Sequence, residues 1–203
     1  MAAVRAFLAV PLPPLLQRQL AALQTELVGV LPGLRWVRPE SAHLTLRFFA
    51  AASVDDLEKI RVSMLSVALR KAPFQIDLLG LGAFPDQRRP RVVWISLTPD
   101  EPVQALYRDC EDELQRQGIP REPRGFLPHL TIGRFRERGP DLSALLAKQG
   151  ERLLGRLPVT QLVLYESHLR PDGPRHIPLF TAPLKEWDDP LSNRTSQEGA
   201  DHG

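Results

Sequence analysis

The chain has one cysteine among 203 residues, so no disulfide can form within it. Cys110 falls on the apolar stripe Val103, Leu106, Cys110, Leu114, which reads as a buried thiol and not a nucleophile. No cysteine–histidine cluster has zinc spacing, so no metal site and no cofactor is expected. No apolar run approaches the ~20 residues that a bilayer-spanning helix needs, so no membrane contact is expected either. Met1 to Pro11 is apolar but short, with no A-x-A-type cleavage site, and reads as a first strand rather than a signal peptide. A cytoplasmic, reducing compartment is the expectation, and the sequon Asn193-Arg194-Thr195 carries little weight there. Net charge is only +2, from 26 basic and 24 acidic residues. The bases are mostly arginine, whose planar fork suits phosphate. Across the whole chain that bias is read as base composition of the genome. The local question is which arginines flank the histidines.

Histidine is scarce, with five in the chain, yet two stand in matched places. His43-Leu44-Thr45-Leu46-Arg47-Phe48-Phe49 recurs as His129-Leu130-Thr131-Ile132-Gly133-Arg134-Phe135. Both copies have strand character, and residues two apart on a strand share a face. His43 therefore projects with Thr45, and His129 with Thr131. Two such strands side by side would bring two imidazoles and two hydroxyls to one groove, able to donate a proton, accept one and hydrogen-bond an anion. The bland alternative, a pair of half-buried strand histidines, explains neither the matching nor the threonine beside each.

The surrounding pattern predicts an α+β fold. Val4–Val10 reads as a strand and Leu16, Leu20, Leu23 and Leu27 as one face of a helix. Arg35–Val37 is a short extended piece ahead of the first histidine strand. Ser53 followed by Asp55 and Asp56 reads as a helix start. Strands are expected at Phe74–Leu78 and Val92–Leu97, a helix from Glu101 to Gln117, and a short helix at Leu142–Leu146. Val159–Leu169 and His176–Leu184 supply the last strands. A helix before and after each histidine strand suggests a duplicated unit. The expected architecture is two lobes with pseudo-twofold symmetry, antiparallel sheets around a central groove, and helices outside. Residues 1–187 form this domain, and the polar stretch 188–203 reads as a disordered tail.

The paired H-x-T-x motifs resemble those of the 2H phosphoesterases, and most nearly the bacterial RNA 2′,3′-cyclic phosphodiesterases, also called the 2′-5′ RNA ligase family. The likeness runs from about residue 4 to 184. It takes in Arg5-Ala6-Phe7, Trp36, His43 to Phe48, Arg91 to Trp94, Pro128 to Ile132 with Arg134, and Leu164 to Ser167. It implies that His43 donates a proton to the leaving oxygen and that His129 accepts one from water. Thr45 and Thr131 would hold the non-bridging phosphate oxygens, with Leu44, Leu46, Leu130 and Ile132 completing the motifs. It further implies hydrolysis of RNA 2′,3′-cyclic phosphate ends to 2′-phosphomonoesters without a metal, and reversible 2′-5′ joining. The implied partner is RNA with such ends, tRNA fragments among them, and the chain is expected to be a monomer. Phe49-Ala50 stands where the family has Leu-Gly, and His176 where it has tyrosine, which makes His176 a third imidazole to follow into the groove.

Arginine placement is less uniform. Strict alternation puts Arg47 on the face of His43 and Thr45, but Arg134 on the face opposite His129. The resemblance favours Arg134 as the phosphate or ribose contact, and both hold only if Gly133 marks a bulge. Phe48 is a candidate to stack a base, balanced against a place in the core. Arg88, Arg89 and Arg91 form a basic loop read first as a solvated hairpin tip, and second as an extension of an RNA track. His168 and His202 are read as surface residues. Two rivals stay open: a noncatalytic RNA-binding module, and a 2H enzyme acting on a small cyclic phosphate or a 2′-5′ oligonucleotide.

Overall fold

A computed structural model describes residues 3–168 and 173–185. The elements run β1 (Val4–Pro11), α1 (Pro14–Leu27), β2 (Leu34–Trp36), β3 (His43–Ala52), α2 (Val54–Ala68), β4 (Phe74–Phe84), β5 (Val92–Thr98) and α3 (Glu101–Arg116). They continue through β6 (His129–Phe135), α4 (Ser143–Gln149), β7 (Leu153–Val159), β8 (Gln161–His168) and β9 (Arg175–Pro183). The fold is α+β, as the alternation of strand and helix patterns led one to expect.

All strand pairings are antiparallel, in the order β7-β4-β5-β6-β3-β1-β8-β9, with β2 added to β6. Each histidine strand heads a four-stranded lobe: β3-β1-β8-β9 on one side and β6-β5-β4-β7 on the other. The lobes do not correspond to the two halves of the chain. The first combines strands from both ends, and the second is built from the middle. The helices are exchanged across this division: α1 leaves the first lobe and packs on β7 of the second, while α3 leaves the second and packs on α2 of the first.

Burial follows the sequence pattern closely. Leu16, Leu20, Leu23 and Leu27 of α1 are buried, as are Val103, Leu106, Cys110 and Leu114 of α3. Burial pushes the Cys110 thiol up, so it stays protonated and inert. Helix α2 begins with the expected cap. Ser53 Oγ accepts from the Asp56 amide at 3.1 Å while the Asp56 carboxylate accepts from the Ser53 amide at 2.9 Å.

Strand β7 has no counterpart among the expected elements. Gly155 and Pro158 hide it in the sequence, and its place at the sheet edge makes proline tolerable. Strand β4 runs on to Phe84, past a register shift near Leu79 that interrupts its alternation. Among the described residues no helix is long and apolar enough to cross a membrane. The expected tail, 188–203, and His202 within it lie outside the described residues.

Candidate active site

The two lobes meet through one bridging pair, Leu44 of β3 opposite Leu130 of β6. Both leucines are fully buried and point into the core. Their neighbours on either side must therefore face the opposite way. His43, Thr45, His129 and Thr131 all fall on that second face and are half-buried. Antiparallel register about Leu44–Leu130 sets His43 towards Thr131 and His129 towards Thr45, so the local twofold passes between them. Beyond this point β3 and β6 diverge, and β2 occupies the far end of β6.

Each imidazole is held in the same way. His43 Nδ1 lies 2.8 Å from the Ser41 carbonyl oxygen, and His129 Nδ1 lies 2.8 Å from that of Leu127. A carbonyl only accepts, so Nδ1 carries the hydrogen in both rings. Nε2 is then the nitrogen left to exchange protons with a ligand.

Both strands carry a bulge at the same step. Ala9 pairs with Thr45 and Leu8 with Arg47, so one step along β1 spans two along β3. Trp94 likewise pairs with Thr131 and Val93 with Gly133, leaving Ile132 as the extra residue of β6. The extra residue reverses the alternation that follows. In β6 this returns Arg134, opposite Val92, to the face of Thr131 and His129, as the glycine at 133 led one to expect. A Cβ on Gly133 would come within 2.6 Å of the Leu34 side chain, which would have to move to admit any larger residue at the bulge.

In β3 the mirrored bulge has the opposite consequence for arginine. Arg47 pairs with Leu8 and turns away from the groove, which corrects its expected place beside His43 and Thr45. It is buried under α3, with Nε 3.4 Å from Glu111, Nη1 3.1 Å from Glu122 and Nη2 donating to the Pro120 carbonyl at 2.8 Å. Phe48, opposite Phe7, takes the groove position that Arg134 holds in the other lobe, and it is 47% exposed. It therefore stands at the groove and not in the core.

The two niches differ in their walls. The His43 ring stacks on Phe7 at 4.5 Å, with Tyr165 behind it at 6.3 Å and His176 edge-on at 5.3 Å. His176 does reach the groove, and its Nδ1 is buried without a partner. The His129 ring meets Phe84 edge-on at 5.0 Å and Trp94 at 6.0 Å. Trp94 lies flat over Gly82, where any Cβ would strike the indole at 2.3 Å. Beside His129 a cavity of about 460 Å³ opens between Trp94, Ser96, Asp100, Leu127 and Pro128. Of these walls only His176 was singled out by the sequence. Phe7, Tyr165 and Trp94 lie within the matched segments, but nothing local marks them as wall residues.

Burial dominates the electrostatics. It pulls the His43 pKa down to about 4, against the raising effect of its bond to Ser41, and His176 and Arg134 lower it further. Burial and Arg134 also lower His129, and burial lowers His176. Arg134 thus acts on both catalytic candidates, and its guanidinium makes no hydrogen bond or ion pair among the described residues. An unpaired guanidinium beside two neutral imidazoles has the chemistry to hold an anion next to groups that can exchange protons. His168 lies on the surface, as expected, paired with Glu166 at 3.1 Å.

The family described as LigT like phosphoesterase has a sequence model that matches this chain twice, over residues 10–94 and 95–176. An RNA 2′,3′-cyclic phosphodiesterase of Methanothermobacter thermautotrophicus is 34% identical over 175 residues, covering 84% of this chain and 94% of that protein. One of Archaeoglobus fulgidus is 31% identical over 171 residues, covering 84% and 95%. A crystal structure of a Thermus thermophilus protein superposes with a TM-score of 0.76 at 27% identity, covering 90% of this chain and 99% of the other.

Proposed function

The chain belongs to the LigT-like phosphoesterase family and is a cyclic phosphodiesterase; from that premise we propose that it opens RNA 2′,3′-cyclic phosphate ends to 2′-phosphomonoesters through its paired histidines. The observation that carries this reading is the single Leu44–Leu130 junction, which sets two identically tethered imidazoles and two threonines on one face.

In the proposed cycle His129 Nε2 takes a proton from water as the water oxygen bonds to phosphorus. The bond from phosphorus to O3′ breaks, and His43 delivers a proton to that oxygen. Thr45 and Thr131 hydrogen-bond the non-bridging oxygens, where charge accumulates in the transition state. Arg134 neutralises the phosphate, and Phe48 offers a face to the terminal base. A bound phosphodiester anion favours the imidazolium form, so it raises the depressed His43 pKa at the moment a proton donor is needed. With an RNA 5′-hydroxyl in place of water, the same two transfers would form a 2′-5′ linkage, the finer possibility attached to this reading: His129 takes the hydroxyl proton as its oxygen bonds to phosphorus, the bond to O3′ breaks, and His43 protonates that oxygen.

The test is turnover of a nucleoside 2′,3′-cyclic phosphate and of an RNA bearing that end, with the product phosphate located by NMR. A 2′-phosphate product, formed undiminished in EDTA, is expected. A 3′-phosphate product, or activity that EDTA abolishes and a divalent cation restores, would overturn the metal-independent mechanism. Binding without turnover would favour the RNA-binding module.

A further inference from the structure

Most arginines whose partners the structure resolves are spent on carboxylates. Arg47, Arg61, Arg70, Arg116, Arg121, Arg124, Arg152 and Arg156 all sit in ion pairs. At the far end of β5 and β6 the situation reverses. The loop 85–91 between β4 and β5 is tied to the loop 136–142 after β6. The Phe135 amide donates to the Arg91 carbonyl at 2.9 Å, Gly139 to Pro90 at 2.7 Å, and Leu142 to Gln87 at 2.8 Å. The expected hairpin tip is therefore one half of a joined surface. Arg88, Arg89, Arg91, Arg136 and Arg138 stand on it exposed, and among the described residues none of their guanidinium groups makes a hydrogen bond or an ion pair.

The acids nearby do not cancel this charge. Asp86 accepts from the backbone amides of Arg88 and Arg89. Asp141 is turned to Ser143, and Arg88 acts on it only through the field between them. Glu137 is exposed between Arg136 and Arg138. Five arginines face three carboxylates, and the surface continues directly into Arg134 in the groove.

Resting on the function proposed above, we infer that this two-loop surface is the track for the RNA chain 5′ of the cyclic phosphate. The terminal phosphate occupies the groove at Arg134, and the preceding phosphates run over Arg136 and Arg138 and then Arg88 and Arg89. Guanidinium groups outside any ion pair suit a flexible polyanion, because no such pair must break for it to bind. A single nucleoside cyclic phosphate carries no upstream phosphate to engage them. The surface therefore sets a preference for oligonucleotide over mononucleotide substrates.

The test compares kcat/KM for a ribo-octamer ending in a 2′,3′-cyclic phosphate with that for cytidine 2′,3′-cyclic phosphate, in wild type and in an R88Q/R89Q/R136Q/R138Q variant. The octamer is expected to be favoured in wild type, with its advantage falling as salt rises, at a log–log slope of about −0.7 per phosphate contacted. The variant is expected to lose at least about 10-fold on the octamer, to show a flatter salt dependence, and to stay within about 2-fold on the mononucleotide, as a track confined to upstream phosphates requires. No octamer advantage in wild type, an unchanged octamer rate in the variant, or equal losses on both substrates would overturn the track. If wild type turns over neither substrate, the catalytic reading fails, and the track is then decided by anisotropy with a fluorescent octamer ending in a 2′-phosphate: binding weakened in the variant supports it and equal binding overturns it. Binding to anionic vesicles in preference to the octamer would assign the surface to a membrane and likewise overturn the proposal.

Discussion

The two histidine strands are copies in sequence, in register and in the bulge that follows each threonine, yet they equip the groove differently. In β3 the bulge turns Arg47 under α3 and Phe48 into the groove, while in β6 it turns Gly133 inward and Arg134 outward. One lobe thereby offers an apolar face and the other a charge. The His43 niche is walled by Phe7, Tyr165 and a second imidazole, and that of His129 by Phe84 and Trp94 beside an open cavity. On the proposed reading, the repeated backbone would set a phosphate between two proton carriers, and the different side chains would let the two ends make different contacts to a sugar–phosphate that carries its base on one side.

The largest effect should come from the matched pair itself. Replacing His43 or His129 by alanine removes one proton transfer and should slow turnover by roughly 10²–10⁴-fold. The double variant should lose less than the product, because the two act on one transition state. If either single variant keeps near wild-type turnover, the paired acid–base reading fails.

Arginines 47 and 134 break the comparison most directly, since the same substitution should do opposite things. Arg47→Ala leaves Glu111 buried without its ion-pair partner, with only the Glu122 amide donating to it, and should cost about 3–5 kcal/mol of folding stability, with turnover per folded molecule kept. Arg134→Ala should leave stability nearly unchanged and slow turnover by roughly 10²-fold. Chemical denaturation and active-site-normalised kinetics on both variants separate the outcomes. A catalytic loss with intact stability in Arg47→Ala would show that it faces substrate.

Acid should find the His43 lobe first. Its folded pKa of about 4 lies below the unfolded value of about 6.5, so the unfolded state binds more protons between these limits. Stability is then full above pH 6.5 and falls, by at most about 3 kcal/mol, as pH drops through 4. His43→Gln should flatten that part of the pH–stability curve. His176→Phe removes a nearby positive charge on protonation and should raise the His43 pKa, read from its ring proton shifts. The kcat profile should be bell-shaped, with its acid-donor limb above that of kcat/KM, because bound phosphate favours the imidazolium. Coincident limbs would argue against that.

The smallest effect belongs to the threonines. Thr45→Val or Thr131→Val removes one neutral hydrogen bond and should cost roughly 1 kcal/mol, about fivefold in rate. A loss as large as that of a histidine variant would assign the hydroxyl a proton-transfer role.

Much of this was legible in the chain. The motif pair, the leucine faces of α1 and α3, the Ser53 cap and the buried cysteine are local or periodic properties, and periodicity is what a sequence displays. Strand β7 was not legible, because Gly155 and Pro158 erase its pattern and only an edge position lets them be a strand. Nor was the composition of the lobes, since β4 and β8 choose their neighbours across long stretches of chain.

The residues alone determined that two imidazoles and two hydroxyls would share faces with their motif partners, because alternation over three residues does not depend on context. Tertiary structure decided which arginine joined them. The one-residue shifts in β3 and β6 are set by pairing with β1 and β5, and each shift reverses every side chain beyond it. A glycine hinted at the second bulge. Nothing in Leu46-Arg47-Phe48 announces the first, and only the register against Leu8 and Phe7 sends Arg47 inward and Phe48 to the groove.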